Sequence, residues 1–204
     1  MPQGVLQEGT RLRRFALGKR RPRQHTVSTV LTRAYLSLGS NLGDRIAHLL
    51  EAIRKLSDVG SVTNCSSFYE TEPVEFTHQP EFLNCAVAID TALHPQQILD
   101  AILQIERDMG RDRSTEPRKG PRTIDIDLLL AGDAVIKSPE LVLPHPAMQD
   151  RRFVLEPLAE IAPDAMHPLL RRTIRELRER LPRGQAVRKL PRLPRADSAP
   201  ETAK

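Results

Sequence analysis

Asp125 and Asp127 are separated by one residue within a run of branched and aliphatic side chains that is typical of a β-strand. Strand side chains alternate between faces, so the two carboxylates share one face and Ile124 and Leu130 belong to the other. Two carboxylates roughly 6–7 Å apart on a half-buried strand repel each other and lose hydration. Mg²⁺ would relieve both costs, because it prefers carboxylate oxygens together with substrate phosphates. The alternative is an exposed strand face with two solvated acids.

The segment before this strand is strongly basic. It contains Arg111, Arg113, Arg118, Lys119 and Arg122. Cations beside a metal-binding pair of carboxylates suit phosphoryl transfer, in which guanidinium groups neutralise charge in the transition state. In the alternative, these side chains only pair with neighbouring acids. The basic segment and the acid pair together favour phosphoryl transfer.

Other motifs are less specific. Pro144-His145-Pro146 presents an imidazole that could bind a nucleotide phosphate, although a lone histidine is more often an ordinary loop residue. Gly39 begins a strand-to-helix turn whose backbone could approach a ligand. The sequence contains no Gly-rich phosphate-binding or dinucleotide motif, no zinc-ligand spacing and no nucleophilic serine motif.

Hydrophobic periodicity predicts the elements that would position these residues. Strands are predicted at 34–38, 62–69, 82–91 and 124–130, and helices at 45–56 and 95–109. The order β-α-β-β-α-β is that of a ferredoxin-like α+β fold, with a strand pair and two helices added over 133–181. This fold places both helices on one face of an antiparallel sheet, which leaves the other face free for Asp125, Asp127 and Asn84.

Charge is distributed unevenly along the 204 residues. The chain has a net charge of +5, but residues 1–33 carry eight Lys/Arg against one acid and residues 171–204 carry eleven against four. Residues 34–170 are therefore acidic, with a net charge of −9. An acidic body argues against nucleic acid as the main partner, because a phosphate backbone needs a basic face.

Composition predicts one catalytic domain over 34–181 between two basic, disordered segments, 1–33 and 182–204. For the first segment, a transit peptide or a wrongly assigned start codon is the alternative. No apolar run approaches the roughly 18–20 residues that cross a bilayer. Cys65 and Cys85 fit a reducing compartment. A monomer in the cytoplasm is expected.

Six sequence blocks follow one another in a recognisable order. They are Gly39-Ser40-Asn41-Leu42-Gly43-Asp44, Ser66-Ser67-Phe68-Tyr69-Glu70-Thr71-Glu72-Pro73, Phe82-Leu83-Asn84, Gly110-Arg111-Asp112-Arg113, Gly120-Pro121-Arg122-Thr123-Ile124-Asp125-Ile126-Asp127 and Leu143-Pro144-His145-Pro146. From about Ala34 to Pro163 the chain resembles the 6-hydroxymethyl-7,8-dihydropterin pyrophosphokinase family of folate biosynthesis. The resemblance implies transfer of pyrophosphate from ATP to the pterin hydroxymethyl group, with release of AMP.

The resemblance also implies a role for each residue at a matching position. The catalytic residues would be Arg111, Arg122, Asp125 and Asp127, with both aspartates holding two Mg²⁺ ions. The ATP-binding residues would be Glu106, Arg113, Arg118, His145 and Arg151. The pterin-binding residues would be Gly39, Thr71, Val74, Phe82, Asn84 and Phe153, with the pterin stacked between the two phenylalanines.

Three features depart from the family pattern, two of them in the basic segment that would cover the site. Lys119 stands near the place where some members have a Trp, the basic segment is one residue longer, and Pro146 replaces a frequent Tyr. Two other hypotheses stay open on the residues alone. One is a non-catalytic ferredoxin-like domain that binds a ligand or RNA, and the other is an ordinary kinase that transfers only the γ-phosphate, since β- and γ-phosphorus attack need the same metals and arginines.

Overall fold

The computed structural model describes residues 30–72, 79–111, 120–182, 184 and 186–191. The strands are β1 (Thr32–Ser40), β2 (Ser61–Cys65), β3 (Tyr69–Thr71), β4 (Phe82–Thr91), β5 (Asp125–Ala131), β6 (Ile136–Lys137), β7 (Val142–Leu143), β8 (Met166–His167), β9 (Arg172–Thr173) and β10 (Val187–Lys189). The helices are α1 (Arg45–Leu56), α2 (Pro95–Asp108), α3 (Arg152–Ile161) and α4 (Ile174–Arg180). None of these helices combines the length and apolarity needed to cross a bilayer.

The central sheet confirms the predicted ferredoxin-like fold. Its strand order is β10-β3-β4-β1-β5, with β2 also paired to β4, and every pair is antiparallel. β1 is central and pairs with β4 on one side and β5 on the other. The strands before and after α2, which are β4 and β5, therefore flank β1. This arrangement brings residues that are distant in sequence side by side.

The first face of the sheet is covered by α1 and α2. Asp44 caps α1 by accepting a hydrogen bond from the Ala47 backbone N–H at 3.0 Å, and Pro95 begins α2 at a position where its missing N–H costs nothing. The apolar stripes of both helices pack on alternate residues of the strands, such as Leu36 and Leu83. Burying each such leucine contributes about 1.5–3 kcal/mol.

The second face is not wholly free, which corrects the prediction that this face is left uncovered; the two predicted helices, α1 and α2, do lie together on the first face. The added helices α3 and α4 pack on the distal part of the second face through a second apolar cluster that includes Leu155, Leu158 and Leu177. The reason is that the alternating residue Ala86 of β4 and the end of β5 are apolar on this side. The part near Asp125 keeps polar side chains, including Ser37 and Asn84.

A β-bulge explains one further difference. Tyr35 pairs with Leu130 and Leu36 pairs with Leu128, so Leu129 is the extra residue of β5. Leu130 consequently joins Leu129 in the second apolar cluster, although simple alternation predicts it on the first face. The unpaired Leu129 carbonyl accepts a hydrogen bond from the His145 backbone N–H at 3.0 Å. The bulge thus fixes the backbone of His145 against β5.

Two predicted boundaries also change. The single strand predicted at 62–69 is two strands, because the Ser66 hydroxyl accepts a hydrogen bond from the Ala86 N–H at 2.9 Å in place of a backbone carbonyl. The tail predicted to be disordered from 182 onward contains β10, which pairs with β3 and completes the sheet edge. Residues 1–29 and 192–204 lie outside the described part of the chain.

Candidate active site

The register of the sheet gathers the predicted residues on the second face. Gly39 of β1 is in register with Asn84 on β4 and with Asp125 on β5. Two residues before Gly39 on β1, Ser37 is in register with Asp127. We call Arg111, Arg122, Asp125 and Asp127 the charged end of the site. We call Gly39, Thr71, Phe82 and Asn84 its neutral end.

Arg111 links α2 to β5 through two carboxylates. Its Nη1 donates to Asp125 Oδ1 and to Glu106 Oε1. Glu106 Oε1 also accepts the Ile126 backbone N–H at 2.8 Å, and the Glu106 side chain is only 2% exposed. Burial lowers the pKa of Arg111, but Asp125 and Glu106 together raise it above its ordinary value. Glu106 therefore aligns Arg111 with the strand that carries the aspartates.

Arg122 connects the charged end to the neutral end. Its Nη1 lies 3.1 Å from Asp125 Oδ2, and its guanidinium carbon lies 5.3 Å from the centroid of the Phe82 ring. Its Nε is buried and has no hydrogen-bond partner in the described part of the chain. A buried guanidinium N–H without a partner is available to an anionic ligand.

Among the described residues, the negative charge of Asp127 is compensated less closely by arginines than that of Asp125. In the part of the chain that the structure describes, Asp127 pairs with Arg151, whose Nη1 lies 4.0 Å from Asp127 Oδ2. Burial raises the pKa of Asp127 to about 7, and the charge of Asp125 adds to this effect. A carboxylate that is hard to ionise beside a second carboxylate gains from a bound cation. Arg151 also lies over the Phe153 ring, 5.6 Å from its centroid.

His145 is held as a neutral imidazole. Burial lowers the pKa of His145 to about 4, and the charge of Arg151 contributes in the same direction. Its Nδ1 accepts the Ala147 backbone N–H at 3.3 Å. In a neutral ring with an accepting Nδ1, the proton is on Nε2. His145 can therefore donate one hydrogen bond, as binding a phosphate oxygen would require.

The neutral end is organised by a side-chain amide. Asn84 is 3% exposed, and its Nδ2 donates to Thr71 Oγ1 at 2.8 Å. Gly39 makes room for this amide, because a Cβ at position 39 would lie 2.8 Å from Asn84 Oδ1. A fixed amide beside an aromatic ring, here Phe82, suits a flat ligand with hydrogen-bonding edges.

Asn41 is a functional candidate that sequence analysis missed. It is 2% exposed, its Oδ1 accepts the Arg122 backbone N–H at 2.7 Å, and its Nδ2 donates to Pro80 O at 3.2 Å. It thereby ties the segment before β4 to the segment before β5. An Asn in a strand-to-helix turn usually bonds its own backbone, so the sequence carries no signal for partners 39 and 81 residues away.

The structure brings most of the predicted site together. Three predicted residues, Val74, Arg113 and Arg118, lie outside the described residues, as does Lys119. Within the described part of the chain, no group of three or more His, Cys, Asp or Glu side chains is placed to hold a metal ion. A metal ion held by Asp125 and Asp127 could complete its coordination with water or substrate oxygens.

Comparison with known proteins identifies the family. The model of the 7,8-dihydro-6-hydroxymethylpterin-pyrophosphokinase family matches residues 35–163, which contain both ends of the site. The chain belongs to this pyrophosphokinase family. The predicted resemblance is therefore confirmed over most of the described sheet.

Curated relatives of the pyrophosphokinase family support the match at high identity. A 2-amino-4-hydroxy-6-hydroxymethyldihydropteridine pyrophosphokinase of Methylorubrum extorquens is 50% identical over 66% of this chain and 85% of its own length. One of Bacillus subtilis is 48% identical over 63% of this chain and 77% of its own length. Other relatives are much longer. The folic acid synthesis protein FOL1 of Dictyostelium discoideum is 40% identical, and the match spans 79% of this chain but only 24% of that protein.

Solved structures show the same fold. A Plasmodium falciparum HPPK-DHPS structure superposes with a TM-score of 0.60 at 19% identity, over 76% of this chain and 45% of that one. At this identity the similarity establishes the architecture of the pyrophosphokinase sheet and not the role of any side chain.

Proposed function

We propose that this chain transfers the pyrophosphoryl group of ATP to the hydroxymethyl oxygen of 6-hydroxymethyl-7,8-dihydropterin. A bond forms between that oxygen and the β-phosphorus, the bond from the β-phosphorus to the α,β-bridging oxygen breaks, and the hydroxyl proton is released with AMP. The observation that carries the proposal is the placement of a charged end and a neutral end on either side of Gly39. One end suits a triphosphate and the other suits a pterin.

Asp125 and Asp127 are proposed to hold Mg²⁺, with two ions expected. The donor set fits, because two hard carboxylate oxygens with few other ligands match a Mg²⁺ site that is completed by phosphate oxygens and water. The raised pKa of Asp127 supports this proposal, because burial and the charge of Asp125 both disfavour the ionised carboxylate. When bound, Mg²⁺ would polarise the phosphates and neutralise their charge.

Arg111 and Arg122 are proposed to stabilise the negative charge that develops on the transferred group. Both already flank Asp125, so they lie where metal-bound phosphates would be placed. Glu106 is predicted from the sequence to bind ATP. The contacts of Glu106 support a different proposal. From its position on α2, Glu106 orients the Arg111 side chain.

His145 and Arg151 are proposed to contact the nucleotide. His145 offers an Nε2 proton at neutral pH, and Arg151 supplies a positive charge near Asp127. Arg113 and Arg118 stay predicted ATP-binding residues.

Asn84 and Thr71 are proposed to hydrogen-bond the edge of the pterin ring, with Gly39 leaving the space for them. Phe82 and Phe153 are proposed to stack on its two faces, and each ring already has an arginine over one side. Val74 stays a predicted pterin-binding residue.

The predictions of a monomer and of a cytoplasmic location also stay predictions, which light scattering and cell fractionation would check.

The deciding experiment separates pyrophosphoryl transfer from other reactions. The full chain is incubated with ATP, Mg²⁺ and 6-hydroxymethyl-7,8-dihydropterin, and the nucleotide products are resolved by ion-exchange chromatography. Formation of AMP and pterin diphosphate in equal amounts supports the proposal. ADP with pterin monophosphate would establish an ordinary kinase, and the absence of both products would favour a binding domain. Omitting the pterin controls for ATP hydrolysis.

A further inference from the structure

The connection between β3 and β4 is tied at both ends by one side chain. Arg45, the first residue of α1, donates from Nη2 to Glu70 Oε1 at 2.8 Å and from Nη1 to the Glu81 carbonyl at 2.7 Å. Glu70 lies within β3, directly before Thr71, and Glu81 directly precedes Phe82. One guanidinium group therefore spans the start and the end of the connection.

Glu70 has a second positive partner on the C-terminal strand. Arg188 of β10 is in register with Glu70 and donates to its Oε2. The Glu70 side chain is 10% exposed, compared with 31% for Arg45 and 71% for Arg188. The hydrogen bond from Arg45, together with the charge of Arg188, lowers the pKa of Glu70. Glu70 is thus an ionised and largely buried group held between α1 and β10.

Strand geometry connects this ion cluster to the neutral end of the site. Successive strand residues point to opposite faces, so Glu70 is held from the α1 side while Thr71 faces Asn84. Thr71 is the residue whose hydroxyl accepts the Asn84 amide hydrogen bond. A displacement of β3 would therefore move that hydroxyl relative to the amide and change the orientation of the amide.

We infer that Glu70, clamped by Arg45 and Arg188, is a positioning residue that sets the affinity of the site for the pterin. This inference rests on the proposed function, because it needs Thr71 and Asn84 to contact the pterin. Exposed ion pairs contribute little to stability, but Glu70 is largely buried, so removing its charge weakens the two contacts by which Arg45 and Arg188 hold β3. The hydrogen bonds of the three clamp side chains join α1, β3, β10 and the residue before β4, so the effect should be larger at the neutral end than at the charged end.

The test compares Glu70→Gln with Glu51→Gln in the full chain. Glu51 is a matched control, since it lies on α1 and pairs with two cations, Arg54 and Lys55, but is 42% exposed. For Glu70→Gln we expect the KM for the pterin to rise about tenfold, with the KM for ATP changed by less than about twofold. Glu51→Gln should leave both constants unchanged. Arg45→Lys, which keeps the charge but loses the two-pronged contact, should give an intermediate pterin KM.

Hydrogen–deuterium exchange provides a readout that needs no substrate. Amides of 69–72 and 81–83 should exchange faster in Glu70→Gln than in the wild type, and those of β5 should not. Equal increases in both KM values, or a lower melting temperature with unchanged kinetics, would overturn the positioning role. A wild-type chain that forms no AMP would overturn the proposed function and with it the pterin role, while the exchange data would still decide whether Glu70 holds the strand.

Discussion

At the charged end of the site Asp125 lies between Arg111 and Arg122, whereas across Gly39 at the neutral end Asn84 donates a hydrogen bond to a threonine hydroxyl. The two ends share the same sheet and lie one strand apart. Charge compensation at the first end can be re-formed around a metal ion and a triphosphate. Fixed neutral dipoles at the second end can only match one ligand shape. We therefore expect substitutions at the charged end to lower kcat and those at the neutral end to raise the KM for the pterin.

The largest effect should come from the aspartates. Asp127→Asn should lower kcat by about 10³-fold or more, because it removes a metal ligand while preserving shape. The fold should persist, since the change also removes a repulsion with Asp125. AMP formation and the melting temperature are the measurements. Asp133→Asn, an exposed acid in the turn after β5, is the control and should retain full activity. Unfolding of Asp127→Asn with normal specific activity in the remaining folded fraction would make the acid structural.

A substitution of Glu106, which holds Arg111 at the charged end, should have the next largest effect. Glu106→Gln should lower kcat about tenfold, because the amide can still accept the Ile126 N–H but no longer carries the charge that aligns Arg111. The KM for ATP should change little. Asp108→Asn, on the same helix and exposed, is the matched control. If the KM for ATP rises while kcat stays constant, Glu106 contacts the nucleotide instead.

The neutral end should respond in the opposite way. Gly39→Ala would place its methyl group 2.8 Å from Asn84 Oδ1 and displace the amide, so we expect a severalfold higher KM for the pterin with nearly unchanged kcat. Steady-state kinetics at saturating ATP would measure this split. Gly184→Ala meets no atom within 4 Å in the described structure and should behave as the wild type. A large loss of kcat in Gly39→Ala would contradict the separation of the two ends.

The smallest effect concerns His145 and pH. Because its pKa is lowered to about 4 in the folded chain from an ordinary 6.5, the unfolded chain binds more protons between these values. The contribution of His145 to the free energy of unfolding is therefore complete above about pH 6.5 and is lost as pH falls through about 4. His145→Asn, which retains an acceptor for the Ala147 N–H, should remove this component.

Urea titrations of both proteins at several pH values would measure the difference, and NMR would give the pKa of the ring directly. The difference between the two proteins should be constant above pH 7 and should change as pH falls. A ring that titrates near 6.5 would show that His145 is not desolvated in solution.

Much of the fold follows from local patterns. The caps at Asp44 and Pro95 and the alternation in β4 predict the elements closely, because each depends on a few neighbouring residues. The break between β2 and β3 could not be predicted in this way, since it depends on the Ser66 hydroxyl meeting Ala86 of another strand. The bulge at Leu129 likewise depends on its partner strand.

The same distinction between local and tertiary determinants applies to the site. The sequence by itself determined that Asp125 and Asp127 share a strand face next to a basic segment, because strand period and residue type are local properties. The tertiary structure decided which partners those charges meet, since Arg111 reaches Asp125, and Glu106 reaches the Ile126 N–H, only when α2 packs on β5. It also decided that Arg45 and β10 hold the strand bearing Thr71. Contacts across many residues depend on packing and register, which no local pattern encodes.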